Sequence, residues 1–155
     1  MPATNRNTIA AGINTALTGI DGSSPYNHDL SGSGQVENVE PDGPPRTDAG
    51  PYACFWLGAR QDIRDGPGAD LSQYAQTLDF SILGVVSQRE STAATLTAVN
   101  NLEADLIQAL HDNRGLLGAV YDLEIATQTI TGAGQQAGAN GAYVLLAGRC
   151  FWART

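Results

Sequence analysis

All seven prolines of this chain lie in its first 67 positions: Pro2, Pro25, Pro41, Pro44, Pro45, Pro51 and Pro67. Proline fixes its own φ and lacks a backbone donor, so helix interiors and central strands exclude it. From Gly68 onward the chain is free to carry uninterrupted helix and strand, whereas the first part must be broken by loops. A length of 155 residues fits one domain spanning 1–155 and is enough for a real core.

Periodicity then places the elements. Ile9, Ile13 and Leu17 recur every four residues and predict a first helix over about Thr4–Leu17, stopped by Gly19 and Asp21-Gly22. A loop-rich segment follows over about 22–51. Tyr26–Leu30 and Gln35–Val39 are short extended candidates within it, and Glu40–Asp48 is turn chemistry throughout. Tyr52–Ala59 reads as a strand with apolar side chains on both faces, and Arg60–Asp70 as a polar connection. Tyr74–Gln88 is the longest strand candidate, with Gly84 marking a bulge or a close approach.

The second helix is predicted over Ser91–Asn113, capped by Ser91 or Thr92 and closed by Asn113-Arg114-Gly115. Its apolar stripe is Leu96, Val99, Leu102 or Glu103, Leu106 and Leu110, widened by Ala93 and Ile107, with Asn100, Glu103, Gln108 and Asp112 facing away. Two strands finish the chain, Val120–Thr131 and Ala142–Trp152. The glycine-rich linker between them is too long for a tight hairpin turn. This order predicts an α+β domain, a mostly antiparallel sheet with two helices packed on one face.

Composition excludes several chemistries. The eight basic residues are all Arg, against sixteen acids, for a net charge of −8. A chain without Lys has no Schiff-base or Walker-type lysine and no polybasic membrane patch. Clustered positive charge for phosphate binding is missing too. No apolar run is long enough to span a membrane, and a secretory signal is not expected. Cys54 and Cys150, far apart in sequence, form neither a disulfide framework nor a zinc pattern and read as small buried thiols of an intracellular product.

Candidate catalytic groups fare no better. Gly132-Ala-Gly134-Gln-Gln-Ala-Gly138 is one residue too long for a dinucleotide loop and leads into a strand, where the fingerprint needs a helix N-terminus. His28 and His111 read as structural, the latter suited to the last turn of its helix. Asp62, Asp65 and Asp70, and Glu103 with Asp105, lack the spacing of a glycosidase or two-metal pair and read as solvated charges. No catalytic, metal or cofactor site is therefore expected.

The acidic bias is the more informative signal. Between Asp21 and Asp70, nine acids face only Arg46, Arg60 and Arg64, a local net charge of −6. A negative surface of this kind repels phosphate and would suit the wall of a passage for DNA.

A resemblance brings these features together. It is carried by Tyr26-Asn-His-Asp-Leu30, Gly34-Gln-Val-Glu37, Tyr52-Ala-Cys-Phe-Trp-Leu-Gly58, Leu78–Leu83, Asn101–Leu110, Leu116-Leu-Gly118 and the two closing strands. As a pattern of elements over nearly the whole chain, this resembles the tail terminator and related minor tail proteins of long-tailed bacteriophages. The resemblance implies a structural virion protein of the tail or neck, assembled in the bacterial host cytoplasm. It implies a homo-oligomeric ring, commonly a hexamer, that caps the tail tube, stops its polymerisation and joins it to the head connector. The tail tube protein and the connector would be its partners, with DNA only passing through the lumen.

The lack of Lys and the segment Pro41–Pro51 depart from that family's pattern. A ring protomer needs loops able to order on contact and strand edges able to pair. The candidate interface or lumen positions are Glu37, Glu40, Asp42, Asp48, Arg60, Asp62, Arg64, Asp65, Asp70, Gly132, Gln135, Gln136 and Asn140. Another neck or tail component, a head-completion or tube protein, is the alternative expectation, followed by a small ligand-binding or enzyme domain.

Overall fold

The computed structural model describes residues 6–40, 50–63, 75–87, 90–117, 122–130 and 141–153. In chain order the elements are α1 (Arg6–Thr18), β1 (Val36–Asn38), β2 (Tyr52–Ile63), β3 (Ala75–Ser87), α2 (Thr92–Asp112), a 3-10 turn (Arg114–Leu117), β4 (Asp122–Ile130) and β5 (Gly141–Ala153). The fold is α+β, with five strands in the order β1-β2-β3-β5-β4. Only β1 runs parallel to its neighbour, β2, and the other pairs are antiparallel.

Alternation along the strands assigns the two faces. Phe55, Leu78, Phe80, Ile82, Val144, Leu146 and Cys150 join Ile9, Ile13 and Leu17 of α1 and Val99, Leu102, Leu106 and Leu110 of α2 in one core. Each large side chain so buried contributes about 1.5–3 kcal/mol, which holds both helices on this face. The opposite face carries a second, smaller cluster of Tyr52, Cys54, Leu83 and Val85, flanked by Trp56, Tyr143 and Leu145. The expectation that β2 is covered on both sides fits its two sets of buried residues.

Close approaches explain two glycines. A Cβ on Gly84 would lie 2.8 Å from Leu106 Cδ1 and 3.0 Å from Leu102 Cδ2, so its missing side chain is what lets α2 settle on the sheet. Gly148 stands opposite Phe80 across the β3–β5 ladder, and the Phe80 ring occupies the space a Cβ there would need.

Several boundaries differ from the sequence expectations. β2 continues through Arg60 to Ile63, where a polar connection was expected. Its register shifts between Leu57 and Arg60, so that one extra residue is absorbed opposite β3. Tyr26–Leu30 forms no strand and contributes a single antiparallel bridge, Asp21 to Asp29. The α2 cap is Ser91, whose hydroxyl accepts from the Ala94 N–H at 3.1 Å. Its C-terminus is closed by Asn113, whose backbone and side-chain N–H groups both donate to the Ala109 carbonyl, and not by Gly115, which lies inside the 3-10 turn. On α2 the buried positions include Thr95 and Asp105, while Ala93 is exposed and Leu96 half-buried.

Candidate functional site

The largest polar investment of the described residues is on α2, where the sequence reading expects a solvated acid. Asp105 is 2% exposed and accepts four donors: the backbone N–H groups of Asn27 and His28, Asn27 Nδ2 at 3.0 Å and His28 Nδ1 at 3.2 Å. A carboxylate removed from water is stable only when its lone pairs are filled in this way. The consequence is mechanical, because Asp105 fastens the segment 20–31 to the helix 77 residues further along the chain. His28 is thus paired with Asp105, not with its sequence neighbour Asp29, and is 8% exposed. His111 is exposed in the last turn of α2, as its sequence position predicted.

The same segment carries two matching turns. Asp21 Oδ1 accepts from the Ser23 N–H and hydroxyl, and Asp29 Oδ1 from the Ser31 N–H and hydroxyl. These hydrogen bonds, the hydroxyl's first, hold both carboxyls below the ordinary value of 3.8. Gln35 completes the segment: its Oε1 accepts from Gly32 N–H, and its Nε2 donates to the Asp29 and Pro51 carbonyls. Burial, with Asp112 and Asp105 nearby, raises the Tyr26 phenol. His28 borders a shallow polar depression of about 310 Å³, with Asn27, Glu90, Thr97 and Asn101 on its walls.

On the face away from the helices, cross-strand positions grade from aromatic to small to charged. Tyr52, Val85 and Tyr143 share one row, Trp56, Ser81, Ala147 and Ala126 another, and Asp79, Arg149 and Glu124 a third. Arg149 grips Asp79 with two hydrogen bonds, Nε to Oδ1 at 2.6 Å and Nη2 to Oδ2 at 3.2 Å. Those bonds, the Asp79 charge and then Glu124 push the Arg149 guanidinium further up. Ser81, Ala126 and Ala147 form the floor of an open depression of about 670 Å³ beside this charged row.

The sheet has two ends of different character. At one end Arg6 covers the outer side of β2, its Nη1 donating to the Gly58 carbonyl at 2.7 Å and its Nη2 to Leu57 at 3.1 Å. That end is then finished by the three-residue β1. Val39, just beyond it, is 49% exposed and is the one large hydrophobic so exposed among the described residues. At the other end β4 pairs with β5 without a register break over its nine residues and has no strand on its outer side among those described.

Of the candidate interface positions, Glu37 lies in β1 and Glu40 just after it, both exposed. Arg60 and Asp62 lie in β2. Asp42, Asp48, Arg64, Asp65, Asp70, Gly132, Gln135, Gln136 and Asn140 fall outside the described residues. The structure thus brings Glu37 and Glu40 to one end of the sheet and does not group them with the others it describes. The cysteines are both buried. Cys54 belongs to the smaller cluster and Cys150 to the main core, on opposite faces with β3 between their strands. Burial pushes the Cys150 thiol up to about 12.

Among the described residues no group of three or more metal-ligating side chains converges, and no helix is long and apolar enough to cross a membrane. Asp105 is the residue that sequence reasoning missed. The available signal was its place three residues after Leu102 and four before Ala109, inside the buried stripe. No protein-family model matches the chain, and no curated protein matches it.

Proposed function

We propose that this protein is a structural assembly protein of a bacteriophage tail or neck, resembling a tail terminator. In this reading it forms a closed ring that caps the tail tube, stops its growth and presents a surface to the head connector. The observation that carries the reading is the long outer side of β4. A monomeric protein usually blunts such an edge with proline, lysine, a bulge or a covering loop. β4 has neither proline nor lysine, and its ladder with β5 runs without a shift. An edge of this kind suits a protein whose work is contact with copies of itself. The acidic composition, with no lysine in the chain, is consistent with a lumen through which DNA moves without sticking.

The test is native mass spectrometry with negative-stain imaging of the purified protein, alone and added to polymerising tail tubes. A single closed ring that halts tube extension is the expected result. Open stacks would instead identify a tube protein, and a strict monomer at high concentration with no effect on tube ends would refute the reading.

A second reading, a small ligand-binding domain, is favoured by His28, which is oriented by Asp105 beside the polar depression. Against it, three of the four donors on Asp105 come from the backbone and amide groups of the segment it fastens, a structural task. Perturbation of the His28 ring resonances by a fragment library, lost in His28→Ala, would move the balance toward it.

A further inference from the structure

We propose that neighbouring copies join edge to edge, β4 of one copy pairing antiparallel with the outer side of β1 of the next, with the neighbour's Val39 opposite Ala126. The inference rests on the ring-forming reading and names its junction.

Strand direction is the first support. β1 and β2 run one way, β3 the other, β5 back again, and β4 in the direction of β3. A second copy set beside the first in the same orientation therefore brings β4 against a β1 of opposite direction, the favourable antiparallel case. Both helix layers then stay on the same side of one continuous sheet.

The backbone groups needed are in place. Ala53 N–H donates to the Gln35 carbonyl at 2.8 Å, and Val36 stands opposite Ala53. In a parallel ladder this turns the main-chain groups of Gln35 and Glu37 toward β2, and those of Val36 and Asn38 outward. Further along, Arg6 already occupies the Leu57 and Gly58 carbonyls, which confines the receptive stretch at this end to β1 and Val39. Carrying that alternation across β3 and β5, alternate residues of β4 from Ile125 to Thr129 turn their main-chain groups away from β5, so the outward-facing Asn38 meets Thr127 and Val36 meets Thr129.

Side chains select the register. Val36 packs against the main core, so alternation sets Glu37 and Val39 toward the opposite face, the face of Ala126. Val39 opposite Ala126 places an exposed valine over the small-residue floor of the 670 Å³ depression. The same register sets Glu37 opposite Gln128 and Asn38 opposite Thr127, so no acid faces an acid. This contact is heterologous: each copy offers β4 and receives on β1, and it repeats until a rotation closes it. A two-fold pairing of β4 with itself would close after two copies and leave Val39 uncovered.

The test is disulfide trapping in the full chain, where the native Cys54 and Cys150 are buried. Oxidising the double variant Val39→Cys/Ala126→Cys should give a ladder of covalent multimers ending at the ring's subunit number, and neither single variant should cross-link. Val39→Asp should shift the assembled mass to monomer with an unchanged circular-dichroism spectrum. Covalent dimers of Ala126→Cys alone, a ring-sized double variant without a ladder, or an assembled Val39→Asp would each overturn the junction while leaving the ring reading intact. A wild-type protein that never assembles would overturn both.

Discussion

Replacing Asp105 by Asn tests whether the buried carboxylate is what fixes the segment 20–31. The substitution keeps the size of the side chain, removes its charge and turns an NH2 group toward N–H donors. Asp105 now accepts from four groups, and the amide oxygen of Asn can serve about two of them. A hydrogen bond to a charged group contributes roughly 1.5–3 kcal/mol, and an orphaned buried donor costs about 1–3 kcal/mol. Losing about two such bonds gives an expected cost of roughly 3–5 kcal/mol, a large share of the about 5–15 kcal/mol that holds a domain together. Urea unfolding monitored by tryptophan fluorescence measures the loss, with the m-value checking that the denatured state is unchanged. Amide exchange localises it: the Asn27 and His28 amides should lose protection first. Asp112→Asn is the control, an exposed acid on the same helix that accepts from Gln108 at 2.8 Å, and should stay within about 0.5 kcal/mol of wild type. A midpoint for Asp105→Asn indistinguishable from wild type, with both amides still protected, would refute the reasoning.

Two further outcomes follow from the same geometry. Gly148→Ala should cost about 1–3 kcal/mol, because its methyl group meets the Phe80 ring inside a core with no room to yield, and Phe80→Leu in that background should recover part of the loss in a double-mutant cycle; additive effects would argue against the overlap. The folded carboxyls of Asp21 and Asp29 titrate below their ordinary 3.8, so the support they give the segment is full above that value and is lost as pH falls through their folded values. Titrating the Ser23 and Ser31 amide resonances from pH 6 to about 2 checks this, and midpoints at or above the ordinary value would contradict it.

Elements with a strong period were legible in the sequence: α2 with its Ser91 cap, β3, β5 and the two-helix layer. The misses have two causes: local pattern is silent about distant partners, and polar side chains at helix ends bond their own backbone one turn away. Arg60–Ile63 read as part of a polar connection because Arg60 and Asp62 are charged, yet pairing with Ala75–Leu78 keeps this stretch in the sheet. Leu96 was expected in the stripe of α2 by hydrophobicity, whereas Thr95 is the residue buried there, its hydroxyl donating to the Ser91 carbonyl at 2.9 Å. Gly115 read as the stop of α2, but the side chain of Asn113 does that work. Asp105 read as solvated because its partners lie in the loop around His28, a pairing that no spacing rule reaches. The candidate interface was legible only as charge in loops. The outer sides of β1 and β4 emerged as surfaces once strand order was known.

That strand order also bears on how the chain comes to be folded. β5 is the last of the described strands in sequence, yet in the sheet it lies between β3 and β4 and pairs with both. A ribosome therefore delivers every other strand before the one that joins them. Until β5 emerges, β3 has a partner only in β2, β4 has none, and the apolar underside of α2 has half its floor missing. Any polypeptide released before Gly141 would be left with two exposed strand flanks and a helix without its seat, a natural substrate for chaperones and proteases.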